Sequence, residues 1–218
     1  MSTFTKTHRN RVKRHPERGA YDHETVYKIL DEALICHVGF AVDNQPFVIP
    51  TIHARRGDTL LLHGASTSRL LKHIEAGNPL CVAVTLLDGL VVARSIFNNS
   101  MNYRSIVLFG TGHLLDDPEE KYAALHALTE RVLPGRWDDA RLPNRKELKA
   151  TSIIAMPIET ASAKIRVGPP KDEPEDYALE FWAGIVPITQ TFHAPQNDPK
   201  LKDNTPVPKY LQGYKRHS

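Results

Sequence analysis

Three apolar segments, Ile35 to Val42, Phe47 to Ala54 and Thr59 to His63, are separated only by the turn-forming stretches DNQP and RRGD. Such short segments, with tight polar turns between them, predict an antiparallel meander. More strand-like stretches follow at Pro79 to Leu87, with the continuation GLVVA, and at Ile106 to Gly110, Ser152 to Ile158 and Ala163 to Val167. Helices intervene irregularly. Val26, Ile29, Leu30, Ala33 and Leu34 recur at helical spacing after a capping Asp22. Arg69 to Ala76 is a short helix stopped by Gly77. Asp116-Asp117-Pro118 opens a third helix, with Tyr122, Leu125, Leu128 and Val132 on its buried side. Strands and helices do not alternate regularly, which argues against a doubly wound parallel sheet. The pattern predicts a mainly β, α+β fold, a small barrel of six or more strands with peripheral helices.

The chain has 218 residues, room for one domain with extended ends, and its apolar fraction of 41% can fill a core. A net charge of only +3 excludes the strongly basic surface of a nucleic-acid binder. No apolar run approaches the roughly 20 residues that span a bilayer, and the N-terminus lacks the apolar core of a secretory signal. A cytoplasmic protein that uses neither nucleic acid nor membrane is expected. Cys36 and Cys81 both lie in apolar runs and are expected as buried, reduced core thiols. We divide the chain into a basic arm (residues 1–20), expected to be solvated, a domain (21–188) and a Pro-rich tail (189–218).

Chemistry concentrates in three places. His63-Gly-Ala-Ser-Thr-Ser-Arg69 leaves a strand and enters a helix. Backbone N–H groups at a helix start, the hydroxyls of Ser66, Thr67 and Ser68, and the planar cation of Arg69 together suit a phosphate. Taken alone, the loop fits an ordinary N-cap equally. NNSMNYRS reads as a polar loop before Ile106 and offers Tyr103, Arg104 and Ser105. Pro50, inside the Phe47–His53 strand, marks an edge whose backbone groups stay open to a planar heterocycle. No metal-binding spacing occurs among the eleven histidines, and no nucleophile elbow or dinucleotide-binding glycine motif is present.

These features coincide with a family pattern. The blocks PERGAYD, ILDEALICHVGF, FVIPTIHARRGDTLLLHGASTSRLL, VTLLDGLVVARSIF, SMNYRSIVLFG, PGRWDD, ASAKIRVGPP and FWAGIVPI occur in order from about Arg14 to Ile188. The chain resembles the pyridoxamine 5′-phosphate oxidase-like FMN-binding split barrels, in particular the flavin-nucleotide-binding branch with the nitroimidazole-resistance proteins. The resemblance implies a six-stranded antiparallel split barrel, and a homodimer with FMN at the subunit interface. Residue by residue, it implies that Val48, Ile49, Pro50, Thr51 and Ile52 lie along the flavin ring. His63 and Gly64 would flank the ribityl chain. Ser68 and Arg69 would hold the phosphate, with Arg104 as a helper. Tyr103, Arg104 and Ser105 would approach from the other subunit. Departures exist. His53 stands where the oxidases carry Lys, and Leu70 where they often carry a second basic residue. Asn98-Asn99 replaces a His pair of that branch, and an amide does not titrate as imidazole does. Trp182 falls in a divergent counterpart of the oxidases' Trp-Gly-Gly segment, so pyridoxamine phosphate oxidation is not expected. The resemblance implies an FMN-dependent oxidoreductase acting on a small molecule. A non-catalytic flavin sensor or carrier, or a split barrel for haem or a deazaflavin, stays open.

Overall fold

Two-residue turns build the meander. The computed structural model describes residues 2–65 and 68–214. After β1 (Gly19–Ala20) and α1 (His23–Glu32), β2 (Ile35–Val42) turns into β3 (Gln45–Arg56) through Asp43 and Asn44, with φ of 50° and 62°. These left-handed residues match the twist of the flanking strands, which is why Asp-Asn sits there. β4 (Thr59–Ala65) follows through Gly57, whose φ is +58°. Then come α2 (Arg69–Glu75), β5 (Pro79–Val92), β6 (Ser100–Thr111), β7 (His113–Leu114), α3 (Pro118–Val132), α4 (Arg145–Ala150), β8 (Thr151–Pro157), β9 (Thr160–Arg166) and β10 (Gly184–Pro187).

The strands form one sheet in the order β1-β9-β6-β5-β2-β3-β4-β8-β7, with β10 added to β5. β7 continues β6 past Gly112 and pairs with β8, so the two ends of the sheet meet and close the barrel. At the closure a Cβ on Gly110 would lie 2.1 Å from the Pro157 carbonyl oxygen, so only glycine fits. The split-barrel fold thus has ten strands rather than six, the additions being short strands at its margins.

The main core fills the barrel with Val38, Leu60, Leu62, Val82, Val84, Ile106, Leu108, Ile154 and Met156. α1 plugs one end with Val26, Ile29 and Leu30. A second cluster lies outside the wall, where Leu61, Ile153 and Ala155 meet Ala124 and Leu128 of α3. Burial on both faces explains the unbroken Leu60-Leu61-Leu62 run. Tyr122 of α3, expected on the buried side, is exposed; Ala124 and Leu128 carry the contact.

Of two further expectations, one is corrected and one refined. NNSMNYRS is no loop: from Ser100 onward it is β6, paired with both β5 and β9. Its polar side chains hid the strand because they are satisfied in place, Arg166 donating to Asn102 and Ser105 to the Lys164 carbonyl oxygen. The arm is largely exposed, as expected, but it is anchored rather than free. Phe4 is buried and stacks on His23, and the buried Asn10 amide donates to the Thr5 and Ala161 carbonyls at 3.0 and 2.9 Å. One aromatic and one amide anchor a segment whose basic composition suggested otherwise. At the root of the tail, β10 leans on β5 beyond a bulge at Leu87/Gly89. Among the described residues no helix is long and apolar enough to cross a membrane.

Candidate functional site

The barrel is split where β3 changes partner. Gln45 to Ile52 pair with β2, but His53 to Arg56 pair with β4. Beyond Leu62, β4 pairs only with β8. The edges Val48–Ile52 and His63–Ala65 therefore diverge from a fork at His53. Pro50, which lacks an N–H, sits where β3 has a partner on one side only. His53 is 1% exposed, and its Nε2 lies 2.9 Å from the Leu30 carbonyl oxygen, pinning the fork to α1. It is a structural residue of the core, not a side chain facing the split.

The far end of the split is the start of α2. Ser68 is its N-cap, and Oγ accepts the Leu71 N–H at 3.3 Å. Gly64 lies beside it, a Cβ there falling 3.9 Å from Ser68 Oγ. The exposed Arg69 guanidinium stacks 4.6 Å from the Phe47 ring centre. That contact holds a cation with no acidic partner among the described residues against the start of the open β3 edge. From Phe47 to Ile52 the strand runs roughly 17 Å, at about 3.3 Å per residue. One groove thus offers backbone groups along its length and a cation with a capped helix at its end. Ser66 and Thr67 lie outside the described residues.

Val48 to Ile52, His63, Gly64, Ser68 and Arg69 come together around the split. Tyr103, Arg104 and Ser105 do not. They lie on β6, with β5 and β2 between them and β3. Arg104 is also committed elsewhere, contrary to its expected role at a phosphate. It donates from Nε and Nη2 to Asp88 at 3.0 and 2.8 Å, and from Nη2 to Glu32 at 2.7 Å, with a further short contact from Nη1 to Glu32. Hydrogen bonds to Asp88 and then Glu32 raise its pKa further and keep it charged. Asn99 serves the backbone instead. Its Oδ1 accepts the Ala93 N–H at 2.8 Å and closes the β5–β6 hairpin, whose tip holds Ile96 and Phe97 almost fully exposed. Cys36 is buried and Cys81 half-buried, both free thiols; burial pushes Cys36 up to about 12 and also raises Cys81.

Sequence reasoning missed two features. The outer face beside the split is apolar, with Ile35, Val48 and Ile52 exposed around His37 and Pro50. Period-2 alternation of β2 and β3 carries that signal. A cleft of about 1380 Å³ also separates the barrel, at Leu87, Asp88 and Arg104, from the tail, at Phe192, His193 and Tyr214. No periodicity announces it, because the tail segment around Phe192 and His193 has neither helix nor strand.

Comparison with known proteins agrees with this architecture. The family model for pyridoxamine 5′-phosphate oxidase matches residues 22–165. The flavocytochrome Anf3 from Azotobacter vinelandii is 40% identical over 94% of this chain and 95% of its own, with a TM-score of 0.90. The FAD and haem binding protein from Mycobacterium smegmatis is 38% identical over 90% of this chain and 96% of its own, with a TM-score of 0.86. A Bacteroides thetaiotaomicron protein ascribed to 5-nitroimidazole antibiotic resistance shares the fold, at 21% identity over 67% of this chain and 86% of its own, with a TM-score of 0.59. No curated protein matches. With its closed ten-stranded sheet, its split at His53 and a family match over most of its length, the chain belongs to the pyridoxamine 5′-phosphate oxidase family.

Proposed function

We propose that this chain is a flavin-binding redox protein, a homodimer, that also carries haem. The observation that supports it best is the split. An open strand edge runs from Ile52 to Phe47 and ends on Arg69 and the Ser68-capped helix. A flavin nucleotide needs backbone partners along its ring edge, a largely apolar wall and a seat for its phosphate. Val48, Pro50 and Ile52 supply the first two, and Ser68 with Arg69 the third. FMN is the reading favoured by the local motif; the M. smegmatis relative binds FAD. Haem enters because that relative and the Azotobacter flavocytochrome resemble this chain over nearly its whole length. When bound, the flavin supplies two-electron chemistry and the haem one-electron chemistry, so no protein nucleophile is needed. The dimer reading is supported by the apolar outer face and by the distance of Tyr103 and Ser105 from their own split. A second copy is what could bring them to one. The partner in turnover is then a small-molecule electron acceptor.

The test is the absorbance spectrum of the purified protein, with mass identification of what it releases. A flavin spectrum plus a Soret band supports the reading, and the released mass separates FMN from FAD. Protein that is colourless and takes up neither flavin overturns it. A monomer by light scattering, still holding flavin, removes the dimer alone. Specific acceptor-dependent reoxidation after photoreduction marks an enzyme. Reoxidation by oxygen only favours the carrier module that the neutral Asn98-Asn99 pair suggests.

A further inference from the structure

A cleft of about 1380 Å³ lies away from the split. Its floor is the barrel at Leu86 and Leu87, with the Glu32–Arg104–Asp88 cluster at one end, and its roof is the tail around Phe192 and His193. The tail is tied down at both ends. The Ile188 N–H bonds the Asp88 carbonyl oxygen at 3.0 Å, and the Tyr214 hydroxyl donates to the Val132 carbonyl oxygen. Between them the chain bridges open space, and every residue from Ile185 to Pro206 is exposed. Fixing an extended backbone costs conformational entropy, which needs contacts to offset it. A segment that arches over a cleft gains those contacts from whatever fills the cleft.

Two independent observations bear on the occupant. The family match ends at residue 165, whereas the alignments with the flavocytochrome and with the FAD and haem binding protein cover 94% and 90% of this chain and so reach well past it. The cleft's lining suits a large, flat, mostly apolar ring with one imidazole at hand. Its volume exceeds the roughly 300–1,000 Å³ usual for small-ligand pockets. Leu86, Leu87, Ile188 and Phe192 give apolar walls, and Gln190 and Gln212 can donate to carboxylates. Of the histidines, His15, His23, His53, His73 and His126 are engaged with Glu17, Phe4, Leu30, Pro79 and Trp137. His193 lines the cleft and has no hydrogen-bond or ring partner among the described residues.

We propose that this cleft is the haem site and that His193 is the protein ligand to the iron. The proposal rests on the haem half of the proposed function. Imidazole nitrogen is a common haem ligand, and apolar walls favour retention of the macrocycle. Glu32 and Asp88 outnumber Arg104 at one end, so Gln190 and Gln212 are the residues that would receive the haem carboxylates.

The experiment is haemin titration of the full-length protein, read by the Soret band, for wild type, His193→Ala and His193→Met, with His37→Ala and His63→Ala beside them. The expected result is loss or displacement of the Soret band in His193→Ala, its restoration by added imidazole, and an altered but retained band in His193→Met. His37→Ala and His63→Ala should match wild type. A wild-type spectrum in both His193 variants overturns the assignment, as does loss confined to His37→Ala or His63→Ala. Far-UV circular dichroism of the same samples shows which variants are folded. If wild type takes flavin but no haemin, the haem reading itself falls. If it takes haemin independently of His193, only the site falls.

Discussion

Leu60, Leu61 and Leu62 are fully buried in the barrel wall, whereas from Ile185 to Pro206 no residue is buried at all. The two regions hold their shapes by different means. The barrel does so by area removed from water on both faces of its strands. The tail does so by β10 at its root, by a few hydrogen bonds to Asp139, Arg136 and Val132, and by an edge contact between Phe192 and Tyr214. The barrel is what the family model matches; the alignment with the flavocytochrome extends past that match, over 94% of the chain. Stability is therefore expected to sit in the barrel, and cofactor selection to divide between the two.

The largest effect tests the first half of that statement. Leu62→Ala removes a fully buried side chain and is expected to cost about 3 kcal/mol, within the roughly 2–5 typical of such cavities. Leu201→Ala in the tail, where the side chain is 41% exposed, should stay within about 0.5 kcal/mol. Urea unfolding of both variants checks it, and equal losses would erase the contrast. Arg104→Met comes next. It leaves the half-buried Glu32 and Asp88 carboxylates facing each other and should cost about 2 kcal/mol, the scale of a lost charge-assisted bond. Adding Glu32→Gln and Asp88→Asn should recover part of the loss. If Arg104→Met instead leaves stability unchanged and weakens FMN, Arg104 belongs to the phosphate seat after all.

Arg69→Ala sharpens the division of cofactors. It should weaken flavin by about 1.5–3 kcal/mol, a roughly ten- to hundredfold rise in Kd. The apo protein should lose no more than the ~0.5–1 kcal/mol of its contact with Phe47. Fluorescence titration gives the first figure and thermal melting the second. Haemin uptake should not change. A loss of both cofactors together would mean that the split and the tail cleft are not separate sites.

Much of this architecture is legible in the sequence, for reasons that differ along the chain. β2 and its turn into β3 are readable because Asp43 and Asn44 are turn formers beside an apolar run. α2 is readable because Ser68 caps it and Gly77, at φ +71°, ends it. β6 is not, since Asn102, Arg104 and Ser105 find their partners on β9, on α1 and across the β5 bulge, far away in sequence. The groove formed by β3 and β4 follows from local residues. The commitment of Arg104 to Glu32, 72 residues away, does not. Local chemistry announces turns, caps and edges; it does not announce which buried charge a distant carboxylate will claim.

The smallest effect concerns the joints that begin and anchor each region. In the barrel, Asp22 caps α1 by accepting the Thr25 N–H at 2.7 Å; hydrogen bonding from the Thr25 side chain, and then from that N–H, holds its carboxyl below the ordinary 3.8. Where the chain leaves the barrel for the tail, burial would raise Asp172, but the Arg94 and Ser95 N–H groups and the Arg94 guanidinium outweigh it and the value is lowered. For both groups the unfolded chain binds its proton more tightly than the folded one. Their stabilisation is thus complete above about pH 5 and disappears as pH falls through the folded value below 3.8. Asp22→Ala should cost about 1 kcal/mol at neutral pH, the usual worth of an N-cap. The gap from wild type should close on acidification, measured by urea unfolding across that range. Asp172→Asn keeps an acceptor for the Arg94 and Ser95 N–H groups and loses only the charge, so it should move the unfolding midpoint less than Asp22→Ala does while freeing the hairpin of Ile96 and Phe97 for proteolysis, because it loosens the segment leading to the tail from the end of β5 without touching the core. If Asp172→Asn moves the midpoint as far as Asp22→Ala does, the tail shares the barrel's cooperative unit, and the contrast between a packed barrel and a tethered tail is wrong.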